Sequence, residues 1–229
     1  MEYPHNRPYT ADDLVRIITL LRDPVNGCPW DKVQTHTSIR MNFLEEAYEA
    51  VDALDLDDPV LMCEELGDVL MQVAFHTCME QETGRFTWEQ VCDGVCQKLI
   101  ERHPNIFGTQ PGYEGITDWD ALKNKEKGRR TLADDLESVP RAMPALMRAA
   151  KLQKRAARYG AALQGADAAA LADAAENLQT AQPASAQAEQ AVGELLFAAA
   201  NLARQAGVDP EQALQKANEA FCTAAGPVA

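Results

Sequence analysis

The sequence predicts an all-α protein, and three observations predict it. Apolar residues recur three and four positions apart in one stretch after another, the period of a helix with one buried side. Helix-start signals stand ahead of several of these stretches: Thr10 with Asp13, Asp58 with Pro59, and Thr87 with Gln90. Glycine and proline mark where the pattern stops.

Taken in order, a first helix begins near Thr10, where Asp13 makes a weaker capping-box partner. It turns Leu14, Ile17, Ile18 and Leu21 inward and ends before Pro24. The segment 23–31 is rich in turn formers. Thr37 or Ser38 opens a second helix, along which Leu44, Ala47, Tyr48, Val51 and Leu54 recur at helical spacing beside Glu45, Glu46 and Glu49. Asp58 as N-cap and Pro59 as first helical residue start a third, with Leu66, Val69, Leu70, Val73 and Ala74 beside Glu64, Glu65 and Asp68. The chain turns between these two helices, so they return antiparallel and the acids border a buried face. Gly67 costs the third helix about 1 kcal/mol relative to alanine; close approach of the partner helix would justify it, and a neutral accident is the alternative.

Gly84 breaks the third helix, and a capping box at Thr87 and Gln90 opens a fourth that runs to about Arg102 and stops at Pro104. Residues 104–117 read as an ordered loop, followed by a short helix from Asp118 to Gly128. From Arg141 to Arg158 lies a helix with six basic residues and no acid, on which Arg148, Lys151, Arg155 and Arg158 form one stripe. Such a stripe can cover an acidic neighbour or a phosphate; a solvated face or a connector between two halves is the preferred reading. Gly160 ends it.

The two acidic clusters carry the chemistry. Glu45 and Glu49 stand four apart, Glu46 and Glu49 three apart, and Glu65 and Asp68 three apart, so each set projects from one side of its helix. Like charges at this spacing repel by a few tenths of a kcal/mol per pair, on the order of 0.3. No Lys or Arg is interleaved to relieve them, whereas an ordinary surface mixes its signs. Facing one another across the helix pair, these carboxylates make a site for hard divalent cations.

Composition bounds the rest. The chain has 229 residues and a net charge of -14, which argues against general affinity for nucleic acid, whose binding depends on neutralising phosphate. Its N-terminus is polar and contains proline, unlike a signal peptide, and no apolar run approaches the length of a membrane span. A soluble, cytoplasmic protein is expected. Its six cysteines form no C-x-x-C pair and lie largely on apolar helical faces, so they read as reduced core thiols.

The alanine-rich segment 161–229 repeats the first half in weakened form. Glu65-Leu-Gly-Asp68-Val-Leu-Met matches Ala191-Val-Gly-Glu194-Leu-Leu-Phe197, and the Gly84 to Gln90 turn matches Gly207 to Gln212 in the same order. We read a duplication whose second copy kept the apolar pattern and lost the charges. Glu65 aligns with Ala191, Lys98 with Ala220 and Arg102 with Ala224, and only Asp173 and Glu176 stand where the first acidic cluster belongs. The comparison singles out Lys98 and Arg102, one helical turn apart, as members of the working half's site.

Glu45-Glu-x-x-Glu49, followed after fifteen residues by Glu65-x-x-Asp68, resembles the motif of the MazG-type nucleoside triphosphate pyrophosphohydrolases. Gly27-Cys-Pro-Trp-Asp31, Arg102-His-Pro-Asn-Ile-Phe-Gly108, and Met143-Pro-Ala-Leu-Met-Arg-Ala149 with Lys154-Arg155 are similar to the longer, two-domain members, so the resemblance covers nearly the whole chain. It implies tandem helical domains of four-helix-bundle type, completed by homodimerisation. Residues 1–130 would form the catalytic domain, 131–160 a basic connecting helix and 161–229 a degenerate second repeat. It further implies Mg²⁺-dependent, or Mn²⁺-dependent, hydrolysis of a nucleoside triphosphate to the monophosphate and diphosphate. Glu46, Glu49, Glu65 and Asp68 would be metal ligands, with Glu45, Glu64, Lys98, Arg102 and Trp119 lining the nucleotide site. Asn42 and Leu61 stand where lysines often occur in the family, departures at positions from which the family pattern would contact phosphate or base.

The residues suit that reaction. Attack of water at the α-phosphate needs triphosphate charge screened and the departing diphosphate stabilised. Two cations held by the carboxylates could activate the water and clamp the bridging oxygen, Lys98 and Arg102 would neutralise phosphate charge, and Glu45 or Glu64 would take the proton. Trp30 and Trp119 are candidates for stacking on a base or for burial, and His76 for packing or ligation. A di-iron carboxylate bundle expects Glu-x-x-His pairs, and the one present, Glu2 to His5, lies in a tail. The remaining alternative is a non-catalytic nucleotide-sensing or interaction protein.

Overall fold

Where a side chain caps the backbone, the helix starts as the sequence reads. The computed structural model describes residues 3–5, 7–104, 106–108, 122, 124 and 126–226. The described residues hold nine α-helices and one short 3-10 turn, with no strand among them. The chain divides into two units, Met1–Ile116 and Thr117–Ala229.

In the first unit, α1 (Ala11–Leu21) begins at Thr10, which forms the expected reciprocal capping box with Asp13. Helix α2 (Arg40–Asp55) has no side-chain cap and starts later than Thr37 or Ser38. Ser38 spends its hydroxyl one turn earlier: its Oγ accepts from the Thr35 N–H at 2.9 Å, while Thr35 Oγ1 accepts from the Ser38 N–H at 3.2 Å. Helix α3 (Pro59–Glu82) is capped by Asp58, whose carboxylate accepts from Val60 and Leu61 N–H. Thr87 and Gln90 cap α4 (Trp88–Arg102), after Gly84 has turned the chain at φ +69°.

Helix α3 is the axis on which α1, α2 and α4 pack. Ile18, Ile39, Ala74, Phe75, Cys78, Met79 and Trp88 form the core, with Leu14, Val15, Met71, Val73 and Cys92 against it. Arg22, buried at the end of α1, ties the turn-rich segment to α3. It donates to both oxygens of Glu82, at 2.5 and 2.8 Å, and to the carbonyls of Asp31 and Gln34. Gly27 sits so close to this knot that a Cβ there would lie 2.4 Å from the carbonyl oxygens of Leu21 and Asp23.

Several side chains depart from their expected faces. Leu21 is exposed, and so are Tyr48, Val51, Leu54, Leu66 and Leu70. The face that α2 turns to α3 is built from Ala50 and Ala53 instead, because small residues let the two backbones run close. Gly67 meets nothing within 4 Å of an added Cβ, so close helix approach is not its reason. All six cysteines are free, but Cys63, Cys96 and Cys222 are exposed and only Cys78 is a buried core thiol.

In the second unit, α5 (Leu132–Glu137) is capped by Thr131, and α6 (Ala145–Arg158) follows Pro144 and starts four residues after the expected Arg141. Helices α7 (Ala168–Thr180), α8 (Ala186–Gln205) and α9 (Pro210–Ala225) are capped by Asp167, Ser185 and Asp209. Here α8 is the axis, with α6, α7 and α9 against it and α5 against α6. The seams hold buried polar groups: Gln153 donates to the Phe197 carbonyl at 2.8 Å and Asn201 to the Ala166 carbonyl at 2.6 Å.

The basic stripe of α6 is not simply a solvated face. Arg155 is buried and approaches the fully buried Asp135 at 2.9 Å, while Arg158 donates to the other Asp135 oxygen at 3.2 Å. Two of the four stripe cations therefore neutralise an acid beneath them. The short helix expected from Asp118, with Trp119 in it, falls largely outside the described residues.

Candidate metal and phosphate site

Helices α2 and α3 pack side by side, and the acids meet across their seam. Glu46, Glu49 and Glu65 each offer a carboxylate oxygen, and the three oxygens lie within 4.8 Å of one another. Glu46 and Glu65 are half-buried and Glu49 is exposed. Asp68 stands outside this set, one turn along α3 from Glu65, yet its charge acts on both Glu46 and Glu65. Glu45 and Glu64 are exposed at the rim, each beside its half-buried neighbour.

The electrostatics are those of unrelieved negative charge. Burial pushes the Glu46 carboxyl above its ordinary range, opposed by a hydrogen bond from Gln72 and reinforced by Asp68, Glu49 and Glu45. Lost hydration raises Glu65 as well, with Glu49, Asp68 and Glu64 adding to it. Among the described residues none of these carboxylates pairs with a Lys, Arg or His. An all-oxygen donor set from two rigid helices, with no internal counter-charge, fits a hard divalent cation.

The basic pair is placed differently. Lys98 is exposed on α4 and Arg102 is half-buried at its end. Neither is among the charges acting on Glu46 or Glu65. Trp30 is exposed and meets Phe75 edge-on at 6.5 Å. His76 stacks on His36, their Nδ1 atoms 2.7 Å apart, and His36 Nε2 reaches Glu80 at 2.5 Å, so His76 serves packing and not the acidic set.

Sequence reasoning passed over Gln72, among the described residues the one neutral side chain bonded to the acidic set: its Nε2 donates to Glu46 Oε1 at 3.3 Å. The available signal was spacing, since Gln72 follows Asp68 by one helical turn.

Comparison with known proteins gives a consistent picture. Residues 34–107 match the model of the MazG nucleotide pyrophosphohydrolase domain, a span holding every acid of the set together with Lys98 and Arg102. Over 219 residues the chain is 41% identical to the nucleoside triphosphate pyrophosphohydrolase of Escherichia coli K12, covering 92% of this chain and 83% of that protein. It is 39% identical over 212 residues to the nucleoside triphosphate pyrophosphohydrolase/pyrophosphatase MazG of Thermotoga maritima, covering 92% and 82%. With the Mycobacterium tuberculosis nucleoside triphosphate pyrophosphohydrolase the identity is 34% over 154 residues, 66% of this chain and 46% of that one.

Proposed function

This chain belongs to the MazG nucleotide pyrophosphohydrolase family, and from that premise we propose that it hydrolyses nucleoside triphosphates to the monophosphate and diphosphate at an acidic site in its first unit. The observation that carries the reading is the meeting of Glu46, Glu49 and Glu65 within 4.8 Å, unrelieved by any described cation. Glu46, Glu49, Glu65 and Asp68 hold divalent cations, Mg²⁺ foremost and Mn²⁺ in its place. Bound there, such ions screen the triphosphate and lower the pKa of a water.

The chain's own groups do the remainder. Glu45 or Glu64, exposed at the rim, accepts the proton from the attacking water. Lys98 and Arg102 take the phosphate charge, and Trp119 contacts the base. Both stand on α4, Lys98 exposed and Arg102 half-buried at the helix end, where an anionic substrate could reach them.

A homodimer is part of the proposal. Tyr48, Val51, Leu54, Leu66 and Leu70 on α2 and α3, with Val95 and Leu99 on α4, are exposed in the single chain. A second copy laid on these helices would bury them and complete a four-helix bundle. The order in which α8 gathers α6, α7 and α9 parallels that in which α3 gathers α1, α2 and α4, which supports the duplication. We assign catalysis to residues 1–130, a linking role to 131–160 and the degenerate repeat to 161–229. We place the protein in the cytoplasm, where its substrates are; no described helix is long and apolar enough to cross a membrane.

Incubation of the purified protein with a panel of nucleoside triphosphates and Mg²⁺, with separation of products, tests the reaction. Monophosphate and diphosphate are expected; orthophosphate with nucleoside diphosphate, or no turnover with any metal, refutes it and favours a nucleotide sensor. Glu49→Gln is expected to lower turnover by at least about 100-fold, beyond the usual loss for an outer-shell partner. Retained activity in that variant refutes the site.

A further inference from the structure

We propose that Gln72 is a positioning residue of the acidic site, holding the Glu46 carboxylate in the orientation that cation binding requires; this rests on reading the acidic set as a cation site. Gln72 lies midway along α3 and is only 7% exposed. Its Nε2 donates to Glu46 Oε1, while its Oε1 is buried with no partner. An amide so placed makes one bond where it has capacity for several, and an orphaned buried acceptor is destabilising. Packing alone would be served better by a methionine or leucine of similar volume. What the amide adds is a fixed, uncharged donor. It restrains one Glu46 oxygen and leaves the other free, whereas a lysine there would cancel the charge and compete with a cation.

The second unit supplies an independent comparison. In the register that pairs Glu65 with Ala191 and Asp68 with Glu194, the counterpart of Gln72 is Ala198, which is fully buried. The glutamine and the Glu65 carboxylate are both missing from this seam, which stays packed, while Glu194 keeps an acid at the Asp68 position. Alanine fills the seam there, so packing at this position does not by itself require an amide.

The test uses the full-length protein and Gln72→Met, with Mn²⁺ alone as probe, its binding measured by calorimetry or by the electron paramagnetic resonance of the free ion. Mn²⁺ affinity is expected to fall about 10-fold, in line with the loss of an outer-shell partner, and the Mg²⁺ needed for half-maximal turnover to rise by a similar factor. KM for the nucleotide at saturating Mg²⁺ is expected to stay unchanged. The melting temperature of the metal-free variant should not fall, because the orphaned acceptor has gone.

Wild-type Mn²⁺ affinity in the variant, or a lowered melting temperature with unaltered metal dependence, overturns the proposal in favour of a structural role. Should Gln72→Met fail to fold, Gln72→Ala, carrying the residue found at Ala198, is expected to show the same 10-fold weakening. Glu49→Gln separates the two readings. If the wild type binds no Mn²⁺, or Glu49→Gln binds it normally, the cation site itself fails; if Glu49→Gln loses Mn²⁺ and Gln72→Met does not, only the role of Gln72 fails.

Discussion

Removing the Asp135 carboxylate is expected to destabilise the second unit sharply and leave the chemistry untouched. Asp135 is fully buried on α5, with Arg155 at 2.9 Å and Arg158 at 3.2 Å. The Arg155 approach is close but not aligned as a hydrogen bond to that oxygen, so its attraction is mainly coulombic. In Asp135→Ala the buried Arg155 keeps its bonds to the Asp135 carbonyl, at 2.5 Å, and to the Ser138 hydroxyl, but loses its counter-ion. Breaking a buried pair from one side costs about 3–5 kcal/mol. The surviving bonds and the partial exposure of Arg158 point to the lower end, about 3 kcal/mol. At roughly 2–4 °C per kcal/mol, the transition should move down by about 6–12 °C.

The assay is thermal unfolding followed by far-ultraviolet circular dichroism, with turnover measured at 25 °C on the folded protein. Asp135→Leu combined with Arg155→Met should recover most of the loss, since hydrophobic replacements of both partners are commonly neutral or better. Turnover per folded molecule should be unchanged, because Glu46, Glu49 and Glu65 lie in the other unit. A shift below about 2 °C in the single variant, or a double variant as unstable as the sum of its parts, refutes the reasoning.

Two further outcomes concern the first unit. Burial, and secondarily His36, holds His76 below its ordinary 6.5, so between that folded value and 6.5 the unfolded chain binds more protons. The stability contribution is complete above pH 6.5 and is lost as pH falls through the folded value; His76→Phe should flatten this slope in urea midpoints, with Phe43, His36 and the Glu80–Arg85 pair nearby left in place, and an unaltered slope contradicts it. Gly27→Ala would bring a Cβ to 2.4 Å from two carbonyl oxygens, so the turn must open at a cost of about 2 kcal/mol; an unmoved urea midpoint would show that the turn is soft.

What the sequence disclosed and what it hid divide by range. Caps at Thr10, Asp58 and Thr87 were legible because each is a contact within four residues, decided before any tertiary packing. The acidic set was legible because a helical period needs no knowledge of the partner helix to put Glu46 and Glu49, or Glu65 and Asp68, on one side. The period does not say which side is covered. Tyr48, Val51 and Leu54 share the spacing of a buried face, yet Ala50 and Ala53 take that place in the single chain. The start of α2 was hidden by competition, since Thr35 and Ser38 bond each other. Arg155 and Gln72 were hidden because a buried polar residue looks exposed until its distant partner, Asp135 or Glu46, is found.

The packing of α8 also bears on which mutational paths remain open. Ala191 is 3% exposed and Ala198 is fully buried, each a methyl group in a closed seam. A glutamate reintroduced at Ala191 alone would have to overpack the seam and bury a charge at once, costs that precede any benefit from a cation. On the duplication proposed above, alanines of this kind would act as a ratchet: together they would leave no single step back to an acidic site, and the second unit would persist as scaffold.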